Sequence, residues 1–272
     1  MDPRPIGVFD SGVGGLTVLH ECLVTMPHED FVYLGDHARL PYGPRERGEV
    51  RRFAHEIGAY LEQQGVKILV VACNTATAAA LPDLQEDLSV PVVSVIVPEA
   101  HAAVQATRNR RIGLLATELT VETGRYESLV RTLDAGAHVT SIACPKLVPL
   151  IEAGDTFSDD VGTAVREYAA PIKAAACDTV ILGCTHYPLL RPVFQRAFGR
   201  DVTLVFSADE TAREVSETLE RKGFEHDARR EGTYRFLTTG EPELFRSLGE
   251  RFLQLPISAV ERVELEALKA AA

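Results

Sequence analysis

The sequence predicts an α/β protein with two similar domains, each built on a mostly parallel sheet. Short apolar segments alternate with helical ones along the chain, the pattern of parallel strands joined by crossover helices. Two of the apolar segments end in a cysteine that polar residues follow: Cys73 in VVACNTATA and Cys184 in ILGCTHYPLL. Each half also begins with a similar segment, IGVF at 6–9 and IGLL at 112–115. We therefore expect pseudo-twofold symmetry, with the active site between the domains.

Eight short apolar runs are predicted to be strands, and helical runs lie between most of them. Because the strands are short and their connections are long, parallel pairing is expected. After residue 208 we predict a helix at 211–222, a strand at 234–238 and an amphipathic helix that carries Leu244, Phe245, Leu248 and Phe252. The eight predicted strands are 6–9, 31–34, 68–72, 92–95, 112–116, 139–143, 180–182 and 202–206.

The domain boundaries follow from the repeat. Cys73 lies 63 residues after Asp10 and Cys184 lies 67 residues after Thr117, so each predicted first strand precedes its cysteine by a comparable interval. The predicted first domain comprises residues 1–98 and 208–272, and the second comprises 99–207. A compact hinge is expected at 97–100, because no flexible linker is found there.

Composition narrows the possible partners. The chain has 272 residues and a formal net charge of -11, which argues against nucleic acid or an anionic membrane as the main partner. No apolar run has the length of a membrane span, and the N-terminus leads almost directly into the first strand. We expect a cytoplasmic protein that binds a small molecule, forms a homodimer, and contacts neither membrane nor nucleic acid.

The five cysteines are predicted to be free thiols, because they are odd in number and widely spaced. There is no C-x-x-C pair, and the histidines lack the spacing of a zinc site, so no metal is expected. For Cys22 and Cys177 packing in the core is the preferred interpretation, and Cys144 is interpreted as a loop residue. Taken singly, Cys73 and Cys184 could also be small core residues.

Cys73 and Cys184 together indicate a different role. Each is delivered to the carboxyl end of a predicted strand, where open α/β sheets bind ligands. Helices are expected to follow, capped by Asn74 or Thr75 in one case and with Pro188 in the first turn in the other. Helix N-termini favour a thiolate. A thiolate and a thiol on opposite faces of a carbon can invert it, one removing a proton and the other returning one. Side chains that could hold or relay the proton are Asp10, Glu152 and His186.

Five strings, in this order and across nearly the whole chain, resemble the bacterial glutamate racemases of the aspartate/glutamate racemase superfamily. They are FDSGVGGLTVL, YLGDHARLPYG, VVACNTATA, VPLIEAG and ILGCTHYPLL. The resemblance implies two Rossmann-like domains and cofactor-independent interconversion of L- and D-glutamate. It also implies that the D-glutamate supplies peptidoglycan synthesis, and so cell wall biogenesis and cell shape.

The resemblance also implies roles for individual residues. Cys73 and Cys184 would be the two bases, Cys73 for D-glutamate and Cys184 for L-glutamate. Asp10 would lie beside Cys73 and His186 beside Cys184, with Glu152 as a further acidic residue. The expected substrate-binding residues are Asp10, Ser11, Pro41, Tyr42, Gly43, Asn74, Thr75, Thr117, Thr120, Thr185 and His186.

Other polar features are interpreted as structural. The glycine-rich loop at Gly12, Gly14 and Gly15 is expected to form a tight strand-to-helix turn, and it lacks the Gly-Lys-Ser/Thr of a Walker loop. Pyridoxal phosphate is not expected, since none of the five lysines lies at a strand end beside a phosphate-binding glycine loop. Solvated surface positions are expected for three acidic residues, Asp36, Glu99 and Asp155.

Two other functions remain open from the sequence. A related racemase could act on aspartate or another small acidic amino acid, with the same cysteine pair and a pocket of different length. A binding or regulatory protein could also use this scaffold, because a fold alone does not imply activity.

Overall fold

The computed structural model describes residues 2–226 and 230–265. The α/β fold class is confirmed, with two parallel sheets. The strands are β1 (Ile6–Asp10), β2 (Phe31–Gly35), β3 (Ile68–Val71), β4 (Val92–Ser94), β5 (Arg111–Ala116), β6 (His138–Ala143), β7 (Thr179–Gly183), β8 (Thr203–Val205), β9 (Tyr234–Thr238) and β10 (Val260–Arg262).

Helices connect these strands and cover the sheets. Two short 3₁₀ helices, His37–Arg39 and Tyr187–Leu190, are adjacent in sequence to Leu40 and His186, which line the cavity described below. The α-helices are α1 (Leu16–Thr25), α2 (Arg47–Gln63), α3 (Asn74–Asp87), α4 (Ile96–Ala106), α5 (Glu118–Glu122), α6 (Arg125–Leu133), α7 (Leu147–Glu152), α8 (Asp159–Ala174), α9 (Arg191–Phe198), α10 (Ser207–Lys222) and α11 (Pro242–Leu253).

The smaller sheet repeats the order of four neighbouring strands of the larger sheet, β2-β1-β3-β4. The larger runs β10-β9-β2-β1-β3-β4 and the smaller runs β6-β5-β7-β8, with every pairing parallel. In each, the first strand of the half, β1 or β5, pairs with the strand that leads to a cysteine, β3 or β7. Both of these pairs lie where the connections change direction, the place at which open sheets bind ligands. The predicted domain boundaries stay a prediction, and their residues 1, 227–229 and 266–272 lie outside the described residues.

The predicted strands and helices are present, but one further strand was not predicted and some element ends differ. β10 was not predicted, because its three residues carry no apolar run. α10 starts at Ser207, four residues before the predicted start. The predicted cap of α3 is also wrong. Cys73 itself occupies the N-cap, its sulfur accepting a hydrogen bond from the Ala76 N–H at 3.4 Å, so Asn74 and Thr75 are the first two helical residues.

Candidate active site

One cavity of about 270 Å³ lies at the carboxyl ends of the strands of both sheets. Cys73, two residues after the end of β3, and Cys184, directly after β7, both line it. Each thiol is buried, with 4% and 6% of the residue exposed, respectively. The cavity therefore brings together the two cysteines that the sequence paired, one from each sheet.

The environment of Cys73 favours its protonated form. Burial raises the pKa of Cys73 well above that of a free thiol, and the negative charge of Asp10 raises it further. Hydrogen bonds from Ala76 and Ser11 act in the opposite direction and lower it. Position at a helix start was expected to favour a thiolate, but burial outweighs it.

Cys184 has a different neighbour. Its sulfur lies 3.8 Å from Nδ1 of His186, and Nε2 of the same ring lies 2.5 Å from Oε1 of Glu152. Burial alone would lower the pKa of His186, but Cys184 and Glu152 together raise it well above 6.5. Burial acts to raise the pKa of Glu152, but its hydrogen bond and ion pair with His186 outweigh burial, and the pKa is lowered. His186 and Glu152 therefore form an ion pair beside the sulfur of Cys184.

The glycine-rich loop after β1 packs directly against the loop after β7. Asp10 is fully buried and accepts hydrogen bonds from the Gly12 N–H at 3.0 Å and from the Thr185 hydroxyl at 3.3 Å. A Cβ atom at Gly14 would lie 2.5 Å from both Nδ1 of His186 and Oγ1 of Thr185. Only glycine fits this approach, so the loop has a role in joining the two cysteine-bearing halves in addition to its tight turn.

Three threonine hydroxyls join α3 of the first half to the loop after β5 of the second. Oγ1 of Thr117 lies 2.9 Å from Oγ1 of Thr75 and 2.9 Å from Oγ1 of Thr120. Thr75 and Thr117 line the cavity, whereas Thr120 is fully buried behind them. Thr120 thus orients the hydroxyls of Thr75 and Thr117, two residues of the cavity wall.

The segment that carries Pro41, Tyr42 and Gly43 is held by a buried ion pair. Asp36 accepts a 2.6 Å hydrogen bond from Nε of Arg39 and another, short one from the Tyr42 hydroxyl. Asp36 has no exposed surface, so the expectation of a solvated position is wrong. An isolated sequence could not reveal this burial, because the partners that satisfy the carboxylate are brought together by the turn after β2.

Glu99 was also expected on the surface, and this is wrong. It lies on α4 with no exposed surface, and burial raises its pKa to about 8 against the lowering effect of hydrogen bonds from Tyr126 and Asn74. Asp155 is half-buried, and its carboxylate accepts hydrogen bonds from Ser158.

The structure brings most of the predicted site residues to the cavity wall and places three behind it. Asp10, Thr120 and Glu152 contact wall residues and do not line the cavity themselves. The predicted residues that line it are Ser11, Pro41, Tyr42, Gly43, Cys73, Asn74, Thr75, Thr117, Cys184, Thr185 and His186.

Part of the wall was missed by sequence reasoning. Cys144, interpreted as a loop residue, is 1% exposed and belongs to this wall, whereas Cys22 lies in the core as expected. Proline and aliphatic residues carry no chemical signal, although several belong to the quoted family strings. The missed residues are Leu40, Pro44, Glu118, Cys144, Pro145, Val148 and Pro149.

Within residues 2–226 and 230–265, no three histidine, cysteine, aspartate or glutamate side chains cluster as metal ligands. In the same residues, no helix combines the length and apolarity needed to cross a membrane.

Comparison with known proteins assigns the family. The model of the Asp/Glu/Hydantoin racemase family matches residues 16–215. The chain belongs to this family. A glutamate racemase of Listeria monocytogenes serotype 4a is 46% identical over 262 residues, which cover 96% of this chain and 98% of that protein.

Solved structures of glutamate racemases share the whole racemase fold. The enzyme from Francisella tularensis subsp. tularensis in complex with D-glutamate matches with a TM-score of 0.92 and 33% identity, over 98% of this chain and all of that one. The enzyme from Thermus thermophilus in complex with beta-chloro-D-alanine matches with a TM-score of 0.88 and 46% identity, over 98% and 99% of the two chains.

Proposed function

We propose that this protein is a glutamate racemase that interconverts L- and D-glutamate by two thiols and without a cofactor. The observation that carries the proposal is that Cys73 and Cys184, from equivalent strands of two similar sheets, open into one small cavity. The relatives named glutamate racemase, matched over nearly the whole chain, support glutamate over aspartate as the substrate.

In the direction from L- to D-glutamate, the Cys184 thiolate removes the Cα proton and the Cys73 thiol donates a proton to the opposite face. The protonated His186 ring, held by Glu152, stabilises the starting thiolate. Burial and Asp10 keep Cys73 protonated, which suits it as the acid in this direction. After turnover the two sulfurs have exchanged protonation states, and the reverse reaction starts from there.

The cavity wall carries groups that suit a zwitterionic amino acid. Four hydroxyl-bearing residues and one amide-bearing residue line the cavity: Ser11, Thr75, Thr117, Thr185 and Asn74. With no electron sink, carbanion character at Cα is stabilised by these hydrogen bonds and by exclusion of water. The D-glutamate formed serves peptidoglycan synthesis, and the enzyme acts in the cytoplasm as a homodimer.

The test is to incubate the purified protein separately with L-Glu, D-Glu, L-Asp and D-Asp and to separate the enantiomers by chiral chromatography. We expect both glutamates to be racemised, and activity to survive EDTA and exhaustive dialysis. Racemisation of aspartate alone would replace the substrate assignment, and no turnover of any of the four would favour a binding protein. Activity that required added pyridoxal phosphate or zinc would overturn the cofactor-free mechanism. Light scattering on the same sample tests the homodimer.

A further inference from the structure

Glu99 belongs to a buried hydrogen-bonded group that the mechanism above does not use. Its Oε2 accepts a 2.8 Å hydrogen bond from Nδ2 of Asn74 and a short one from the Tyr126 hydroxyl. Nδ2 of Asn74 also donates to Oη of Tyr126 at 2.8 Å. Asn74 starts α3, Glu99 lies on α4 and Tyr126 on α6, so three helices meet in this Asn74–Glu99–Tyr126 triad.

The triad fixes the orientation of the Asn74 amide. Both hydrogens of Nδ2 are taken by Glu99 and Tyr126, so Oδ1 lies at the opposite end of the planar amide group. This Oδ1 is buried and has no hydrogen-bond partner, although Asn74 lines the cavity next to Cys73. A buried carbonyl oxygen without a partner is costly, and a hydrogen-bond donor on a bound ligand removes that cost.

The opposite orientation of the amide is disfavoured by Glu99. Oε2 of Glu99 accepts from both Asn74 and Tyr126, so the proton of the neutral acid lies on Oε1. Turning the amide over would therefore place Oδ1 against an acceptor oxygen and would put Nδ2 where Oδ1 is now. An NH₂ group at this place could not bond to the ammonium group of an amino acid, because both are hydrogen-bond donors. Oδ1 is an acceptor and can take a hydrogen bond from the ammonium group. Glu99 therefore determines that Oδ1 of Asn74, and not Nδ2, is presented to the ligand.

The same triad reaches the residue before the second thiol. A Cβ atom at Gly183 would lie 3.2 Å from Oη of Tyr126, and Gly183 directly precedes Cys184. The triad thus touches the residue after Cys73 and the residue before Cys184. The triad is therefore well placed to hold the Asn74 amide in a fixed position relative to both thiols.

We propose that Glu99 is a positioning residue that turns Oδ1 of Asn74 toward the ammonium group of the substrate. This inference rests on the proposed glutamate racemase activity. Glu99 touches neither the substrate nor a thiol, and it acts through Asn74.

The test compares Glu99→Leu, which removes the acceptor, with Glu99→Gln, which can present the same carbonyl oxygen. We expect Glu99→Leu to raise KM for both glutamate enantiomers about tenfold or more, and Glu99→Gln to stay within about threefold of the wild type. The inhibition constant of glutarate, a dicarboxylate without an ammonium group, should not change in either variant. A general structural defect would weaken glutamate and glutarate equally and would contradict the proposal.

A double-mutant cycle tests whether Glu99 acts through Asn74. In an Asn74→Ala background, Glu99→Leu should change kcat/KM by less than about twofold. An equal loss in both backgrounds would overturn the inference. Glu127→Leu, the same substitution at a half-buried carboxylate on α6, is the control and should leave KM unchanged.

If Glu99→Leu does not fold, Tyr126→Phe provides the second variant, because its hydroxyl is the other partner of Oε2 and of Nδ2. It should raise KM for glutamate severalfold without affecting inhibition by glutarate, and an unchanged KM would refute the proposal. If the wild type does not racemise glutamate, the proposed function fails. If the wild type does so and Glu99→Leu keeps its KM, only the role of Glu99 fails.

Discussion

Glu152 holds the ring of His186 by a 2.5 Å contact between Oε1 and Nε2, which leaves Nδ1 of the ring facing the sulfur of Cys184 at 3.8 Å. The ring also packs edge-on against Phe252, with 5.3 Å between the ring centroids. Because the ring is fixed on these sides, its charge stays next to Cys184. The two thiols therefore have unlike surroundings, a cationic ring at Cys184 and a carboxylate, Asp10, at Cys73.

Removing the charge of Glu152 should shift the alkaline limb of the pH–activity profile to lower pH. In Glu152→Gln the pKa of His186 falls, since the carboxylate that raises it is gone. The neutral ring then appears at lower pH, and kcat/KM for L-glutamate should decline at least about one pH unit earlier than in the wild type. The measurement is a pH profile of initial rates, with Glu127→Gln as the control. Superimposable alkaline limbs of wild type and Glu152→Gln would contradict the proposed role of Glu152 in keeping His186 protonated.

Adding one methyl group at Gly14 should disturb the Cys184 side of the cavity. The new Cβ would lie 2.5 Å from Nδ1 of His186 and Oγ1 of Thr185, so the ring must move. We expect Gly14→Ala to lose about 100-fold in kcat/KM while it remains folded by circular dichroism. Gly48→Ala is the matched control, because a Cβ at Gly48 has no neighbour within 4 Å. Equal activity of the two variants would show that the close approach of the loops has no functional role.

Local sequence patterns were sufficient to predict the strands and the positions of the two thiols. Apolar runs that end in Cys73 and Cys184 revealed both strands and the edge at which the thiols lie, since parallel strands present their carboxyl ends together. The burial of Glu99 could not be predicted, because its partners lie on other elements and pair with it only in the folded chain. The burial of Asp36 depends on how the turn after β2 folds Arg39 and Tyr42 back onto the carboxylate. Glu99 depends on Tyr126, 27 residues away, and on Asn74, 25 residues away.

The titration of Glu99 should be visible in thermal stability. Its pKa is raised from 4.5 to about 8 in the folded protein, so the native state keeps a proton that the unfolded chain releases. This contribution is full below about pH 4.5 and is lost as the pH rises through about 8. We expect the Tm of the wild type to fall more steeply than that of Glu99→Gln between pH 5 and 8.5, measured by calorimetry. Parallel curves would contradict the raised pKa.

Replacing either thiol should stop racemisation and leave a one-sided reaction. Cys73→Ser and Cys184→Ser should each lose about 10³-fold or more in kcat, since a serine hydroxyl is a far weaker acid than a thiol. Each variant should still eliminate the leaving group from a substrate analogue that needs only one proton removed. The two variants should prefer opposite enantiomers of that analogue, as chiral chromatography of the remaining material would show. The same preference in both would argue against thiols on opposite faces.

The most direct test of the two-thiol mechanism is racemisation of L-glutamate in deuterated water, followed from the earliest times by mass spectrometry of the separated enantiomers. If Cys184 removes the proton on one face and Cys73 delivers a different one on the other, the D-glutamate formed carries solvent deuterium at Cα while the remaining L-glutamate stays protiated. Starting from D-glutamate, the labels should be reversed. Deuterium in both enantiomers at the earliest times would mean that a single base serves both faces, and the mechanism would have to be abandoned.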